Sequence, residues 1–474
     1  MDIFTTFPQF AVLQQLARRK RRSVYIVGGF LRDYCLGRPN HDLDFAVDRG
    51  AVQFARAFAG EIRGAYVPLD EDHGCARVVK KHQGRVITYD FADFRELSIE
   101  GDVARRDFTI NTLIADARAL KAGGGLDGAI VDVRRAKKDI LKRTIRRVSV
   151  RSLREDPLRI MRAFALKAAL DFRIDLSTLN QIRREKESLR GVSAERVRDE
   201  FFKILESPRA AATLIDMDKH GVLAEVIPQI RIMEDCPQGG YHHLAVWPHS
   251  LETVRQFELL CRIKDDARCV TYLDAPIAGN RSRRALVKLG ALLHDIGKPD
   301  TRRKEGEKYS FHGHEHAGAG ITRIIASQLK LSTKESRALE DMVRWHLRPG
   351  YLSNFKRPSE KAYFRYFRDT KDEAAGIALL SLADQRSTRG PLTTPADQEH
   401  HEAVCREIIR RYFAKSGEKP AEPLITGHDL ISELKLKPSP LFGKVLSGVR
   451  EQQALGAVTD KAGAIKLARK LAGA

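Results

Sequence analysis

The sequence predicts an α+β protein: a small mixed-sheet head, then an all-α neck, a helical body and a helical tail. Three observations carry this. Short β-branched and aromatic runs crowd into the first hundred residues, at 24–27, 42–47, 76–79 and 85–91. From Ser193 onward, apolar residues recur at helical spacing instead. The length, 474 residues, is enough for several domains with cores of ordinary size.

Residues 1–22 read as one amphipathic helix leading into a strand, VYIV (24–27), that turns on Gly28 and Gly29 into a helix through Arg32 and Asp33. A turn cluster, Gly37 to Asn40, precedes a second strand carrying Asp42 and Asp44. Strand side chains alternate, so the two aspartates share a face. A diglycine turn offers backbone N–H groups to a triphosphate, and paired carboxylates hold the magnesium ions that neutralise it. Gly50 to Glu61 reads as a helix. The strands Ala76–Val79 and Arg85–Phe91 follow, joined by KKHQG. In the second of them Ile87, Tyr89 and Phe91 take one face, Thr88 and Asp90 the other. Asp90 is therefore either a third carboxylate for the metal site or part of a polar strand face.

RRDFTIN (105–111) reads as a helix opening that places Asp107 and Asn111 one turn apart behind Arg105 and Arg106. Guanidinium forks grip phosphate, and an aspartate beside them can accept from a ribose hydroxyl. The bland alternative is a charged helix start. In LREDPLRIMRAFALKAALDF (153–172), Asp156-Pro157 opens a helix with Arg159 and Arg162 on one face. A surface ion pair between Glu155 and Arg159 is the alternative there. SAERVRDEFFKILE (193–206) is a further helix, with Val197, Phe201, Ile204 and Leu205 on one side.

Together, the GG–RD–DxD run, RRD and EDxxR resemble the polymerase beta-like nucleotidyltransferases. Within them they resemble the bacterial-type tRNA nucleotidyltransferase and poly(A) polymerase family. The resemblance implies that Asp42 and Asp44 are catalytic and bind magnesium, joined by Asp90 if it is a third ligand. It implies that Gly28, Gly29 and Arg32 cradle the triphosphate, and that Arg105, Arg106, Asp107 and Asn111 position phosphate and ribose. Asp156 and Arg159, with Glu155 and Arg162 beside them, would select CTP or ATP in place of a template base. Ile130 to Val148 is similar to the family's hinge, with Val133 and Ala136 where Pro and Gly are usual. Ala165 stands where the family repeats an arginine. Ser193 to Glu206 resembles its neck helix, with Glu195, Arg196 and Glu200 as ion-pairing groups. Only ELSIEGDVA separates Arg95 from Arg105. Family members that add all of CCA carry a longer flexible loop there, so the short segment resembles the CC-adding type, and some A-adding members vary here too.

Eight of the fifteen histidines lie between Tyr241 and His346. The order His249, His294-Asp295, Asp384 resembles the HD phosphohydrolase superfamily, in which such residues bind a divalent transition metal such as nickel or manganese. His314 and His346 are candidates for a second ion; His312 and His316 compete with His314. The resemblances divide the chain into a head (1–148), a neck with the nucleotide-selecting motif (149–215), an HD-type body (216–410) and a tail (411–474). KSGEKPAEP (415–423) reads as the linker to that tail, with Lys435, Lys437 and Lys444 as candidate RNA contacts.

An excess of 83 Lys and Arg over 62 Asp and Glu, net +21, suits a polyanionic partner. At 7% aromatics, binding through many stacked bases is not favoured. The run Arg18–Arg22 is an RNA contact or, on the simpler reading, a solvated helix end. The six cysteines form no CxxC pair, which argues against a zinc ribbon and for reduced, buried thiols in a cytoplasmic protein. Neither a signal peptide nor a membrane span is expected. The leading expectation is a tRNA 3′-end nucleotidyltransferase adding CCA, CC or A from CTP and ATP. Poly(A) polymerase is the near alternative, and a metal-dependent phosphohydrolase with an RNA-recruiting head the distant one.

Overall fold

A computed structural model describes residues 2–72, 74–240, 242–262, 266–306, 308–415 and 422–473. Most of the expected linker, residues 416–421, lies outside the described residues. The chain folds as two compact units, Met1–Ile204 with Asp216–Val226, and Leu205–Ile215 with Ile227–Ala474.

The first unit is built on a seven-stranded sheet. Its strands are β1 (Val24–Val27), β2 (Asp42–Val47), β3 (Ala65–Asp70), β4 (Cys75–His82), β5 (Arg85–Asp93), β6 (Leu113–Asp116) and β7 (Val131–Asp132). They lie in the order β3-β4-β5-β2-β1-β6-β7. Only β2 and β5 pair in parallel; the rest are antiparallel. One face of the sheet is aromatic. Phe45 stacks on Phe91 at 5.1 Å, Phe58 of the helix Ala51–Ile62 meets Tyr89 edge-on at 5.1 Å, and Phe10 of the helix Phe10–Arg19 lies 6.4 Å from Phe45. Each buried ring is worth roughly 2 kcal/mol. A one-residue slip would expose several of them, so the aromatic face fixes the register. Register in turn forces Asp42, Asp44, Thr88 and Asp90 onto the opposite face.

Several elements differ from expectation. The N-terminal helix is two, Ile3–Thr6 and Phe10–Arg19, because Phe7 before Pro8 is driven out of helical geometry. In KKHQG only Gln83 and Gly84 turn, at φ 48° and 76°. Lys80, Lys81 and His82 stay in β4, paired with Ile87, Val86 and Arg85. The exposed edge strand β3, with Pro68 inside it, was not anticipated. RRDFTIN does not open a helix. Arg105 closes the helix Ile99–Ala104, Phe108 is extended at φ −128° and bridges to Arg147, and a short 3₁₀ turn covers Thr109–Asn111. Thr109 N–H donates to Arg146 O (2.8 Å) and Val148 N–H to Asp107 O (3.1 Å), and these bonds draw the segment out straight. In the expected hinge, the Asp132 carboxylate accepts from the N–H groups of Ala136 (2.6 Å) and Lys137 (3.0 Å). It thereby caps the helix Ala136–Leu141, although Arg135 sits at φ 59°.

The neck helices of the first unit include Leu158–Leu170 and Leu176–Glu185. Helix Ala194–Glu206 buries Val197, Phe201, Ile204 and Leu205, as its spacing predicts. The second unit is almost wholly helical; at its C-terminal end Gly427–Ser432, Pro440–Ala454 and Lys461–Ala472 close around Leu430, Val445, Val449, Ala464 and Ala468. Buried Glu451 ties this end down by accepting from Arg365 (2.7 Å) and Lys361 (3.1 Å), while Lys435, Lys437 and Lys444 are exposed. All six cysteines are free, but only Cys236 and Cys405 are buried; Cys35 is exposed, against expectation. No helix among the described residues is long and apolar enough to cross a membrane.

Candidate functional site

One cavity of about 860 Å³ gathers almost every head and neck residue singled out in the sequence: Gly28, Gly29, Arg32, Asp42, Asp44, Asp90, Arg106, Asp107, Asn111, Asp156, Arg159 and Arg162. Gly28 adopts φ 76° and ψ −143°, a conformation reserved for glycine. A Cβ there would come within 2.8 Å of Asp44 Oδ2. The turn thus lies directly against the second carboxylate. Asp44 carries a pKa raised to about 6 by burial and by Asp90 and Asp42, with Arg106 and Arg162 opposing. Asp42 and Asp44, crowded further by the charge of Asp90, are the kind of paired oxygen donors whose repulsion a divalent cation relieves. Asp42 is exposed and accepts from Thr88 Oγ1.

Around the carboxylates the cations are fixed by partners. Arg32 donates to Asn111 Oδ1 (2.8 Å) and to the Asp33 carboxylate. Arg106 donates to Asp102 at 3.0 Å. Asp107 accepts from Asn111 (3.1 Å) and from the Phe108 N–H (2.7 Å), and Arg162 Nε lies 3.2 Å away. Burial raises the Asp107 pKa, but Arg162, Asn111 and the Phe108 N–H together hold it below the usual carboxylate value.

Four sequence-predicted residues are placed differently from their expected parts. Arg159 is buried and donates to the carbonyls of Arg105 (2.8 Å) and Ser152 (3.0 Å), so it braces the RRD backbone. Glu155 pairs with Arg105 at 3.5 Å, which removes the expected Glu155–Arg159 alternative. Asp90 lies beside Asp44 in register, but both its oxygens accept from Arg77, at 2.7 Å each. Arg105, whose guanidinium also meets Glu96 (2.6 Å), is not among the residues lining the cavity. Asp156 accepts from Arg196 at 3.3 Å. Arg77, Asp102 and Lys203 were missed; Glu200, expected as an ion-pairing group, pairs with Lys203 at 2.8 Å and lines the cavity with it. Asp102 and Arg106 form an i,i+4 pair, which was a legible signal. Arg77 was legible too, by counting back along the hairpin from the Gln83-Gly84 turn.

In the second unit two trios lie side by side. His249, His294 and Asp384 could share one ion, and Asp295, His314 and His346 another. His294, His314 and His346 each place Nδ1 2.7–2.9 Å from a carbonyl three residues earlier, those of Ala291, Phe311 and Val343. With Nδ1 engaged by a carbonyl, each Nε2 faces the cluster, where a metal ion would take the place of the second proton that Asp295 and Asp384 hold on His294. His249 Nε2 is 2.9 Å from Asp384, His314 Nε2 3.3 Å from Asp295 and 3.4 Å from His346 Nε2. His294 Nε2 and Asp295 Oδ2 are both buried and lie 3.2 Å apart. Burial lowers the His294 pKa, but Asp295 and Asp384 more than offset it and hold it near 10; burial and neighbouring imidazoles push His346 down to about 3. Lys298 Nζ is 2.7 Å from Asp295 and 2.6 Å from Gln238 Oε1. Gly297 is obligatory here, since a Cβ would meet His314 O at 2.2 Å. His316 is exposed and pairs with Glu315, and His312 is exposed; His314 is the member of that triplet in the cluster.

Three family models match parts of the chain: the Poly A polymerase head domain at residues 24–146, the probable RNA and SrmB-binding site of polymerase A at 171–233, and the HD domain at 246–389. An A-adding tRNA nucleotidyltransferase of Deinococcus radiodurans is 32% identical over 91% of this chain and 92% of its own. A CC-adding tRNA nucleotidyltransferase of Geobacter sulfurreducens is 31% identical over 98% of this chain and 96% of its own. Among solved structures, a CCA-adding enzyme in its apo form superposes with a TM-score of 0.64 at 18% identity, covering 100% of this chain and 97% of that one, which shows the shared fold.

Proposed function

The chain belongs to the tRNA nucleotidyltransferase and poly(A) polymerase family, and on that premise we propose that it extends the 3′ end of tRNA with nucleotides taken from CTP and ATP. The observation that carries this reading is the convergence of Asp42, Asp44, the Gly28 turn and the RRD arginine Arg106 on one cavity. Asp42 and Asp44 would hold magnesium, which supplies charge neutralisation for the triphosphate and lowers the pKa of the attacking hydroxyl. The backbone at Gly28 and Gly29, with Arg32, holds the triphosphate. Arg106, fixed by Asp102, takes a phosphate oxygen, and Asp107 orients the ribose. Asp156 faces the base, while Arg159 keeps the RRD backbone in place beneath it.

Relatives of both the A-adding and the CC-adding kind share the overall sequence. Here the segment that precedes RRD is a capped helix, with Ser98 accepting from the Gly101 N–H and Asp102 reaching both the Arg95 N–H and Arg106. Such a segment is suited to adding part of the CCA end. Primer extension of tRNA lacking CCA, tRNA ending in C and tRNA ending in CC, with CTP and ATP separately, assigns the product. Extension of a generic RNA by ATP alone, with no preference for tRNA, would replace this reading with poly(A) synthesis.

The HD region supports a second activity, hydrolysis of phosphate esters. His249, His294 and Asp384, with Asp295, His314 and His346 beside them, suit one or two divalent transition ions such as nickel or manganese, which would activate water. Lys298 would steady the phosphate or its leaving group. Metal analysis of the purified protein, with release of p-nitrophenol from bis-p-nitrophenyl phosphate, tests it; wild-type protein that takes up no transition metal refutes it.

A further inference from the structure

We infer that Arg77, aimed by Asp90, binds the last internucleotide phosphate of the RNA whose 3′ end is extended. This rests on the nucleotidyl-transfer reading and assigns a residue to the other substrate.

Three strands place the relevant groups in one row. Asp44 on β2 is in register with Asp90 on β5, and Asp90 is in register with Arg77 on β4. Residues paired in register point to the same face, and all three line the cavity. On the far side of Asp44, β1 runs into the Gly28 turn; Val27, the residue before it, is in register with Asp44. The row therefore reads triphosphate cradle, carboxylates, then Arg77.

Transfer of a nucleotide from a nucleoside triphosphate to the RNA 3′-hydroxyl proceeds in line: the 3′-oxygen bonds to the α-phosphorus as the bond to the departing pyrophosphate, on the opposite side, breaks. The pyrophosphate belongs on the Gly28 and Arg32 side. The RNA 3′-hydroxyl must then arrive from the side where Arg77 stands. An incoming RNA end brings a phosphate about one nucleotide from its reacting hydroxyl, and that phosphate needs a cation on this side.

Arg77 has the geometry for it. Its Nε and Nη2 are fixed by the two Asp90 oxygens at 2.7 Å each, while Nη1 makes no hydrogen bond among the described residues. The side chain remains 41% exposed. A guanidinium oriented along one edge and open on the other is preorganised for a phosphate oxygen. The same contacts explain why Asp90, though next to Asp44, has both oxygens engaged: it is a positioning residue for Arg77.

The test pairs a protein change with an RNA change. Steady-state incorporation is measured for wild type, Arg77→Ala, Arg77→Gln and Asp90→Asn. The tRNA ends carry either an ordinary phosphate or a neutral methylphosphonate at the last linkage. A charge-assisted contact predicts that the methylphosphonate raises the wild-type KM for RNA roughly tenfold. In Arg77→Ala the KM for ordinary RNA rises by a similar factor, and the further methylphosphonate penalty falls below about twofold. The KM for CTP or ATP stays within about twofold, and calorimetric binding of CTP confirms that the variant is folded. Asp90→Asn gives a smaller rise, and Arg77→Gln, which keeps the shape but not the charge, behaves as Arg77→Ala.

An equal methylphosphonate penalty in wild type and both Arg77 variants overturns the assignment. So does a variant whose defect lies in magnesium requirement or nucleotide KM, since Asp90 would then be acting at the cations. A wild-type protein that extends no tRNA end refutes the nucleotidyl-transfer reading itself, a separate outcome.

Discussion

At the residue scale, the proposed nucleotidyl-transfer site depends on a glycine that leaves room for a carboxylate. Gly28 holds a positive φ and leaves 2.8 Å between the position of a Cβ and Asp44 Oδ2. Gly28→Ala must therefore strain the turn or push Asp44 aside. It should lose about 1–2 kcal/mol of stability, and incorporation should fall on the order of a hundredfold, more than that stability loss explains; single-turnover assays beside thermal melts separate the two effects. Asp44 also gives a pH prediction. Its native pKa, near 6, lies above the unfolded value of 3.8. Between those values the metal-free native state binds more protons than the unfolded chain, so stability is present at low pH and lost as pH rises through 6. In EDTA, Asp44→Asn should melt close to wild type at pH 4 and higher than wild type at pH 7.5. Equal melting at both pH values would show that the carboxylate is not strained by its neighbours.

At the scale of elements, the short helix Ile99–Ala104 matters more than its length suggests. Asp102 within it is 3% exposed and holds Arg106 at 3.0 Å and the Arg95 N–H at 3.2 Å. Asp102→Ala should free Arg106 and raise the KM for CTP or ATP about tenfold, the value of one charge-assisted contact, while leaving tRNA binding unchanged in a filter assay. The sequence made the strands β2 and β5 and their faces legible, because alternation of Tyr89 and Phe91 with Thr88 and Asp90 has only one workable burial; their parallel pairing was not anticipated. It also made the neck helix and the EDP helix start legible. It did not reveal the course of RRD, whose extended backbone is set by hydrogen bonds to Arg146 and Val148, some forty residues away. Local periodicity carries no signal for such contacts. The edge strand β3 escaped for a different reason: it is exposed and contains a proline, so it lacks the apolar alternation that marks a strand. Arg77 was missed because KKHQG was read as a five-residue loop; with the two-residue turn in place, its pairing with Asp90 follows.

At the scale of the whole molecule, the two proposed sites lie in separate compact units. The carboxylates Asp42 and Asp44 belong to the first; His249, His294, Asp295, His314, His346 and Asp384 belong to the second. Their ligand sets suit different ions, oxygen donors the hard cation proposed for the first and imidazoles the transition ion proposed for the second. His294→Ala should therefore abolish transition-metal uptake by elemental analysis and leave nucleotide incorporation within about twofold of wild type. The basic net charge of +21 predicts binding of tRNA that weakens steeply with salt. The claim on which the rest depends is that Asp42 and Asp44 carry the transfer reaction. The direct measurement is incorporation of labelled CTP and ATP into tRNA with a truncated 3′ end, comparing wild type, Asp42→Ala, Asp44→Ala and His294→Ala in magnesium. A loss of at least about a thousandfold in both aspartate variants, with His294→Ala active, is the predicted result; aspartate variants that still extend tRNA, or a His294→Ala protein that does not, would contradict it.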